Sequence, residues 1–187
     1  MALTLDGTSG ITQMTGSIVM SGSTSGTTTI IPSAVAGTTT VTMPAATGTM
    51  MVSGNMPAFS AYASAISSSI TSGVDTKVLF DTETFDTNNN FASSRFTPTV
   101  AGYYQINATL RFNGSYTSAA IILFKNGGNV GYLQNGVQTV TTASSLQYMN
   151  GTTDYLEIYT SMTGSSLTVG AGNANTNYFS GSLVRAA

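Results

Sequence analysis

Four Asn-Gly dipeptides divide the C-terminal part of this 187-residue chain into short segments. Asn-Gly tolerates the positive φ angles of tight hairpin turns, so each copy predicts a turn between two antiparallel strands. The four copies are Asn113-Gly114, Asn126-Gly127, Asn135-Gly136 and Asn150-Gly151. A chain punctuated in this way is expected to fold as β structure with short connections.

The segments around these turns are rich in the aromatic and aliphatic residues that favour strands. In the stretch 155–159, Leu156 and Ile158 share one face, as in a strand that packs on one side only. Strands are predicted at 77–80, 91–97, 103–112, 119–125, 130–133, 137–149, 155–162, 167–169 and 178–184. The one helical candidate, 61–70, is rich in Ser and lacks a cap. The predicted fold class is therefore an all-β, two-sheet jelly-roll sandwich of about ten strands.

The first 56 residues differ from the rest in composition and predict a separate N-terminal arm. Ser, Thr and Gly dominate them, and Asp6 is their only charged residue. The segment 26–30, GTTTI, returns as 37–41, GTTTV, and each copy is followed by a Pro. One interpretation is a flexible low-complexity linker. We favour short strands that neighbouring chains complete, because apolar residues recur at regular places: Ile11, Ile18, Met20, Ile30, Val41 and Met43.

Charged residues make up only 6% of the chain, with five Lys plus Arg and seven Asp plus Glu. A surface of hydroxyls and amides repels copies of itself weakly, which favours assembly. The chain has no basic stripe of the kind that binds nucleic acid. It also has no apolar run of about 20 residues and no signal-peptide pattern, so neither membrane insertion nor ordinary export is expected.

The chain contains no His and no Cys, which excludes Ser-His and Cys-His nucleophiles and the metal sites that those residues form. Glycan-cleaving enzymes use carboxylate pairs instead. Two pairs are close enough in sequence to be considered, Asp81 with Glu83 and Asp154 with Glu157, and we interpret both as surface or turn residues. No enzyme activity, and no catalytic residue, is therefore expected.

Calcium is the one metal that the composition would suit, because it binds oxygen ligands in polar loops. The candidate ligands are Asp75, Asp81 and Asp86. No spaced calcium-loop motif surrounds them, and we expect no required cofactor.

The residues between Phe80 and Tyr104 resemble the signature of the complement globular-head family, which shares the tumour-necrosis-factor-like jelly roll. The matching residues are Phe80, Asp86, Phe91, Phe96, Gly102 and Tyr104. The chain departs from that signature in a gap that is two residues shorter between the second and third Phe. It also has Ile106 and Ala108 where aromatic residues are usual. In physical terms, the matching residues are candidates for core and turn positions.

Two further segments are similar to the same family, PAFSAY at 57–62 and YFSGSLV at 178–184, which contains Phe179 and Gly181. The resemblance covers residues 57–185. It implies a homotrimer around a threefold axis, with both termini of the domain near one end and variable loops at the other. In those loops, the candidate ligand residues are Asn173, Asn175 and Asn177.

The N-terminal arm resembles a different group of proteins. Its sequences SGSTSGTTTI and AGTTTVTMPAATGT look like segments that precede the tip domain in bacteriophage fibre and other virion proteins. We predict a bacteriophage virion structural protein, made in the host cytoplasm. Residues 1–56 would bind other virion proteins, and residues 57–187 would form a trimeric tail-fibre or receptor-binding head for a host surface glycan. The alternatives are a trimeric capsid decoration, or cement, protein and, less favoured, a glycan-cleaving tailspike.

Overall fold

A computed structural model describes residues 17–31, 33–34, 40–42, 45, 47–48, 50–65, 68–170 and 176–187. The chain divides into two compact units, Met1–Thr47 and Gly48–Ala187. We call the second unit the head. The head begins at Gly48, nine residues before Pro57, the predicted start of the C-terminal domain. In this first part of the head, the Gly54 carbonyl oxygen accepts a hydrogen bond from the Asn88 side-chain amide.

The first unit contains an antiparallel hairpin of strands β1 (Ile18–Ser21) and β2 (Thr27–Ile30). All of its apolar side chains are exposed. A two-stranded hairpin is marginally stable by itself in water, so this surface suits the predicted completion by neighbouring chains. The first Thr-rich copy forms β2 as predicted. The second copy lies partly outside the described residues, and its described part, 40–41, forms no strand.

The described part of the head contains eleven strands and confirms the predicted all-β, two-sheet jelly roll. The predicted strands 103–112 and 119–125 are one strand, as are 155–162 and 167–169, whereas 91–97 contains two strands and β4 and β6 were not predicted. The strands are β3 (Ala58–Tyr62), β4 (Ser68–Ser69), β5 (Thr76–Lys77), β6 (Thr82–Asp86), β7 (Phe91–Ala92), β8 (Arg95–Phe96), β9 (Gly102–Lys125), β10 (Gly128–Gly136), β11 (Val140–Met149), β12 (Leu156–Val169) and β13 (Tyr178–Ala186). A single 3-10 turn, Ser53–Asn55, precedes them.

Strand β9 takes part in both sheets. Its first half, 102–111, pairs with β13 and β11 in a sheet ordered β6-β3-β13-β9-β11, the first sheet. Its second half, 112–125, pairs with β12 and β10 in the second sheet, where β4, β5 and β8-β7 lie beyond β12. Both ends of β9 lie at one end of the sandwich. Lys125 Nζ donates to the Tyr148 carbonyl oxygen at 2.6 Å, and Tyr148 pairs with Tyr103.

The four Asn-Gly dipeptides do not all form hairpin turns. Asn126-Gly127 joins β9 to β10 with φ angles of 54° and 79°, as predicted. Asn150-Gly151 opens the β11–β12 loop, and Asn135-Gly136 ends β10. The predicted turn at Asn113-Gly114 is wrong, since this dipeptide lies inside β9. The chain passes from the first sheet to the second just before this dipeptide, between Arg111 and Phe112. Gly114, with φ of 111°, lies at a register shift between β9 and β12, where a Cβ would be 2.5 Å from the Ser166 carbonyl oxygen.

Aromatic side chains between the sheets form the centre of the core. The Phe59 ring lies 4.2 Å from that of Phe96, 5.1 Å from that of Phe91 and 4.9 Å from that of Phe179. Gly181 lies directly beside this group, because a Cβ there would be 2.9 Å from the Phe59 ring. The close packing of β13 on β3 thus depends on a residue without a side chain.

Other residues of the family-like signature also have structural positions. Phe80 is buried, and Gly102 is packed against the β13 backbone. Tyr104 is fully buried and donates its hydroxyl to the Val100 carbonyl oxygen, and burial raises the pKa of Tyr104 to about 12. Asp86 accepts hydrogen bonds from the backbone N–H groups of Asn88 and Phe91, at 3.3 and 2.7 Å. The Asp86 carboxylate therefore holds the loop between β6 and β7 in shape.

The chain enters the jelly roll and reaches its last strand residue at the same end. Leu183 of β13 donates its backbone N–H to the Pro57 carbonyl oxygen, and Ala187 donates to that of Ala101. This arrangement is the one that the family resemblance implies. The opposite end of the sandwich, where β9 passes from one sheet to the other, is therefore distant from the point at which the N-terminal residues join.

Replacing Phe59 with Ala is expected to lower the free energy of unfolding by about 3–5 kcal/mol, because a cavity would open among three other rings. Phe85→Ala is the matched control. Phe85 lies on the neighbouring strand β6 and is 48% exposed, so a loss of less than about 1 kcal/mol is expected there. Urea unfolding of both variants measures the difference. Equal losses would mean that the ring cluster does not stabilise the head.

Candidate ligand-binding cleft

A cleft of about 570 Å³ opens beside the β7–β8 hairpin, at the edge of the second sheet. Its volume lies in the range of ordinary small-ligand sites. Ala92 is the one lining residue without a polar side chain, and the others supply two cations, two amides and three hydroxyls. These residues are Lys77, Asn89, Asn90, Ala92, Ser93, Arg95, Thr97 and Thr99. We call this the basic cleft.

The β7–β8 turn that forms one wall of the basic cleft has an unfavourable backbone conformation. Ser93 and Ser94 have φ angles of 52° and 58°, in the left-handed region that costs residues with a Cβ about 1 kcal/mol or more. Contacts on two sides hold the turn in place. Lys77 Nζ donates to the Ser93 carbonyl oxygen at 2.9 Å, and the Ser94 hydroxyl bonds both backbone groups of Phe80. The turn therefore positions Arg95 on a rigid wall.

A buried carboxylate lies below the two cations of the basic cleft. Glu157 of β12, whose side chain is only 3% exposed, places Oε1 2.6 Å from Lys77 Nζ and 2.9 Å from Arg95 Nε. Burial raises the pKa of Glu157. The hydrogen bonds and charges of Lys77 and Arg95 together outweigh that effect and hold the pKa below its ordinary value of 4.5. One ionised carboxylate thus faces two cations, and the cluster keeps one net positive charge.

An aromatic ring supports Arg95 from the other side. The guanidinium carbon lies 3.7 Å from the centroid of the Tyr155 ring, a cation–π contact. The Arg95 side chain nevertheless remains 43% exposed. Arg95 is therefore oriented by Glu157 and Tyr155 while part of its guanidinium stays accessible to a ligand.

The two carboxylate pairs considered from the sequence have different environments. Interpreting Glu157 as a surface or turn residue was wrong, because Lys77 and Arg95 cover it. Asp154 does lie in a turn, where it forms an ion pair of 3.0 Å with Lys125 and accepts a hydrogen bond from Asn126. Asp154 and Glu157 thus serve separate ion pairs.

Asp81 and Glu83 line a second cleft of about 480 Å³, which shares Ser93 with the basic cleft. The backbone N–H of Ser64 donates to Asp81 and lowers its pKa, and the hydroxyls of Ser64 and Thr82 add to this effect. A glycosidase needs one carboxyl with a raised pKa as its general acid. Asp81 does not fit that role.

The remaining sequence candidates are not brought together as a binding site. Among the described residues, no three His, Cys, Asp or Glu side chains form a group that could hold a metal ion, so Asp75, Asp81 and Asp86 give the calcium hypothesis no support. Asn173 and Asn175 lie outside the described residues. Asn177 is fully buried, and its amide oxygen accepts the backbone N–H of Arg111 at 2.9 Å, so it serves the fold.

Sequence reasoning did not identify the basic cleft. Lys77, Arg95 and Glu157 come from three separated segments, and no local pattern indicates that they meet. The available signal was composition. Only five Lys and Arg occur in the whole chain, so two of them beside one carboxylate is a notable concentration of charge.

Comparison with solved structures identifies the fold. The crystal structure of murine APRIL at pH 8.0 is similar to this protein with a TM-score of 0.50 and 9% sequence identity, over 69% of this chain and 99% of that one. The protein has the tumour-necrosis-factor-like jelly-roll fold. Rabbit GITRL is less similar, with a TM-score of 0.39 at 14% identity, over 53% of this chain and 78% of that one.

No protein-family model matches the sequence, and no curated protein sequence matches it. The likeness to APRIL therefore establishes the jelly-roll fold alone. In the part of the chain that the structure describes, no helix is long and apolar enough to cross a membrane.

Replacing Glu157 with Gln is expected to lower the free energy of unfolding at pH 7 by about 2 kcal/mol, because two cations lose their shared partner. Since the folded pKa of Glu157 is depressed, its contribution is fully present above its ordinary value of 4.5 and is lost as the pH falls through the folded value. The variant should therefore lose less stability than the wild type on acidification below about pH 4.5.

The matched control for this prediction is Glu83→Gln, the same change at the other Glu of the chain, which is exposed. Urea unfolding at several pH values between 3 and 7 measures both variants. If Glu157→Gln and Glu83→Gln have the same stability and the same pH dependence, the ion-pair cluster does not stabilise the head.

Proposed function

We propose that this protein is a bacteriophage virion structural protein whose head is a trimeric receptor-binding domain. In this proposal, residues 1–56 attach the head to other virion proteins. The observation that carries it is the combination of a phage-like, Thr-rich arm sequence with a tumour-necrosis-factor-like jelly roll. The resemblance to the complement globular-head family supports the trimer.

The outer face of the first sheet is the surface that we assign to contact between copies. From Tyr103 to Thr109 on β9, and from Thr142 to Tyr148 on β11, the outward-facing side chains are uncharged. Tyr103 and Tyr148 pack edge to face at 5.4 Å, and Leu146 beside them is 55% exposed. Arg111 and Arg185 lie at the two ends of this stretch, and the uncharged middle with its exposed apolar groups can be covered by an identical copy at little desolvation cost.

Receptor binding is favoured over a purely structural role by the basic cleft. Each copy presents its own cleft outside the assigned contact face, since the cleft belongs to the edge of the second sheet. Three weak sites that act together bind a repetitive surface much more tightly than one site does. Assembly therefore has a direct consequence for attachment to a host glycan.

Immunogold labelling of intact virions with an antibody against this protein tests the proposed function. We expect label on the tail or its fibres, because a receptor-binding head must reach the host surface. Antibody adsorbed beforehand with purified protein is the control and should leave the particles unlabelled. Label spread over the capsid would replace the receptor-binding role with the decoration role, and virions without label would contradict both.

A further inference from the structure

We propose that the basic cleft binds a sugar that carries a carboxylate, so that the host glycan is acidic. This inference rests on the proposed function and names the ligand class of the same site. It depends on three features of the cleft: its net charge, the donors that remain on Arg95, and the arrangement of amides and hydroxyls around them.

The net charge of the cleft matches one carboxylate. Lys77 and Arg95 supply two positive charges, and Glu157 neutralises one of them. A carboxylate ligand would restore full neutrality in a site that is partly shielded from water, where charge pairing is stronger than at an open surface. A phosphate group, with a charge of about −1.5 to −2 at neutral pH, would exceed the remaining positive charge.

Arg95 retains the donors that a carboxylate requires. Its Nε bonds Glu157, and among the described residues no hydrogen bond is formed by its two terminal amino groups. Planar guanidinium groups bind carboxylates through paired N–H donors. Because Glu157 and Tyr155 already fix the plane of the guanidinium, little side-chain entropy remains to be lost when an anion binds.

The rest of the cleft suits a hydroxyl-rich ligand. Asn90 is buried, and its amide bonds the Thr99 hydroxyl at 3.4 Å and the Asn88 carbonyl oxygen at 3.1 Å, so it fixes the loop from within. Asn89, with φ of 54°, is exposed on the same loop, and Thr99 is exposed on the facing segment. Amides and hydroxyls held on a fixed frame are the groups that bind sugar hydroxyls with the least reorganisation.

An acidic peptide fits these features less well. The lining contains no aromatic or large aliphatic side chain against which an apolar peptide side chain could pack. Strand β7 forms the edge of the second sheet, but it has only two residues and cannot pair with an added strand over a useful length.

Titration of the intact protein with methyl β-glucuronide and with methyl β-glucoside, followed by saturation-transfer NMR, tests the proposal. The two probes differ only in the carboxylate. We expect the glucuronide to bind at least about tenfold more tightly than the glucoside, as for a charge-assisted pair. The preference should shrink as salt is raised from 0.05 to about 0.5 M, because part of the Arg95 guanidinium remains exposed to solvent.

Arg95→Gln should reduce the affinity ratio of the two sugars to about one. Lys77 remains to pair with Glu157 in that variant, so the hairpin should stay folded. Arg95→Lys keeps the positive charge but lacks the paired, coplanar N–H donors of Arg. Its affinity ratio should therefore lie between those of the wild type and Arg95→Gln. Arg185→Gln is the matched control, since it removes an exposed cation from β13 in the first sheet and should leave the ratio unchanged.

Equal affinity for the two sugars in the wild type would overturn the proposal. So would equal losses in Arg95→Gln and Arg185→Gln, which would indicate a response to net charge alone, or tighter binding of tetraglutamate than of the glucuronide. Failure here is distinguishable from failure of the proposed function. Tail-fibre label without glucuronide binding removes only this ligand class, whereas glucuronide binding with capsid label removes only the fibre role.

Discussion

The path of β9 through both sheets is the constraint on which the rest of the head depends. One continuous strand supplies central pairing positions to each sheet, and its passage between them at Arg111 and Phe112 sets how the two sheets lie against each other. The residues that face inward from its two halves, such as Ile106 and Ile121, are therefore brought to opposite sides of one core. Short edge strands, including β5 and β8, can then pair with β12 without forming a hydrophobic core of their own.

The second structural link is the buried Glu157, which connects β12 to β5 and β8. Three elements with little mutual backbone pairing are joined by one carboxylate and two cations. The same contacts hold the strained β7–β8 turn and orient Arg95. Stability of the sheet edge and the binding properties of the cleft therefore have the same physical origin, which explains why so weakly charged a chain keeps these charges together.

The sequence predicts the fold well and the cleft poorly, for a physical reason. Alternation and the Asn126-Gly127 turn are local signals, and they identify most strands correctly. Asn113-Gly114 shows the limit of such signals, since the same dipeptide can close a hairpin or lie inside a long strand. Glu157 shows a second limit. Alternation correctly places its side chain on the strand face opposite to that of Leu156 and Ile158, whereas its burial depends on Lys77, eighty residues away in sequence. Contacts between distant segments are not encoded in any local pattern.

We propose that three copies of this protein assemble through the outer face of the first sheet. Light scattering of the intact protein at micromolar concentration measures this assembly directly. We expect a mass near three times 19.2 kDa for the wild type and a shift towards one chain for Leu146→Asp. Val74→Asp, a matched change at a 50% exposed site before β5, should keep the trimer mass. A wild-type mass of one chain would show that the protein does not form this trimer.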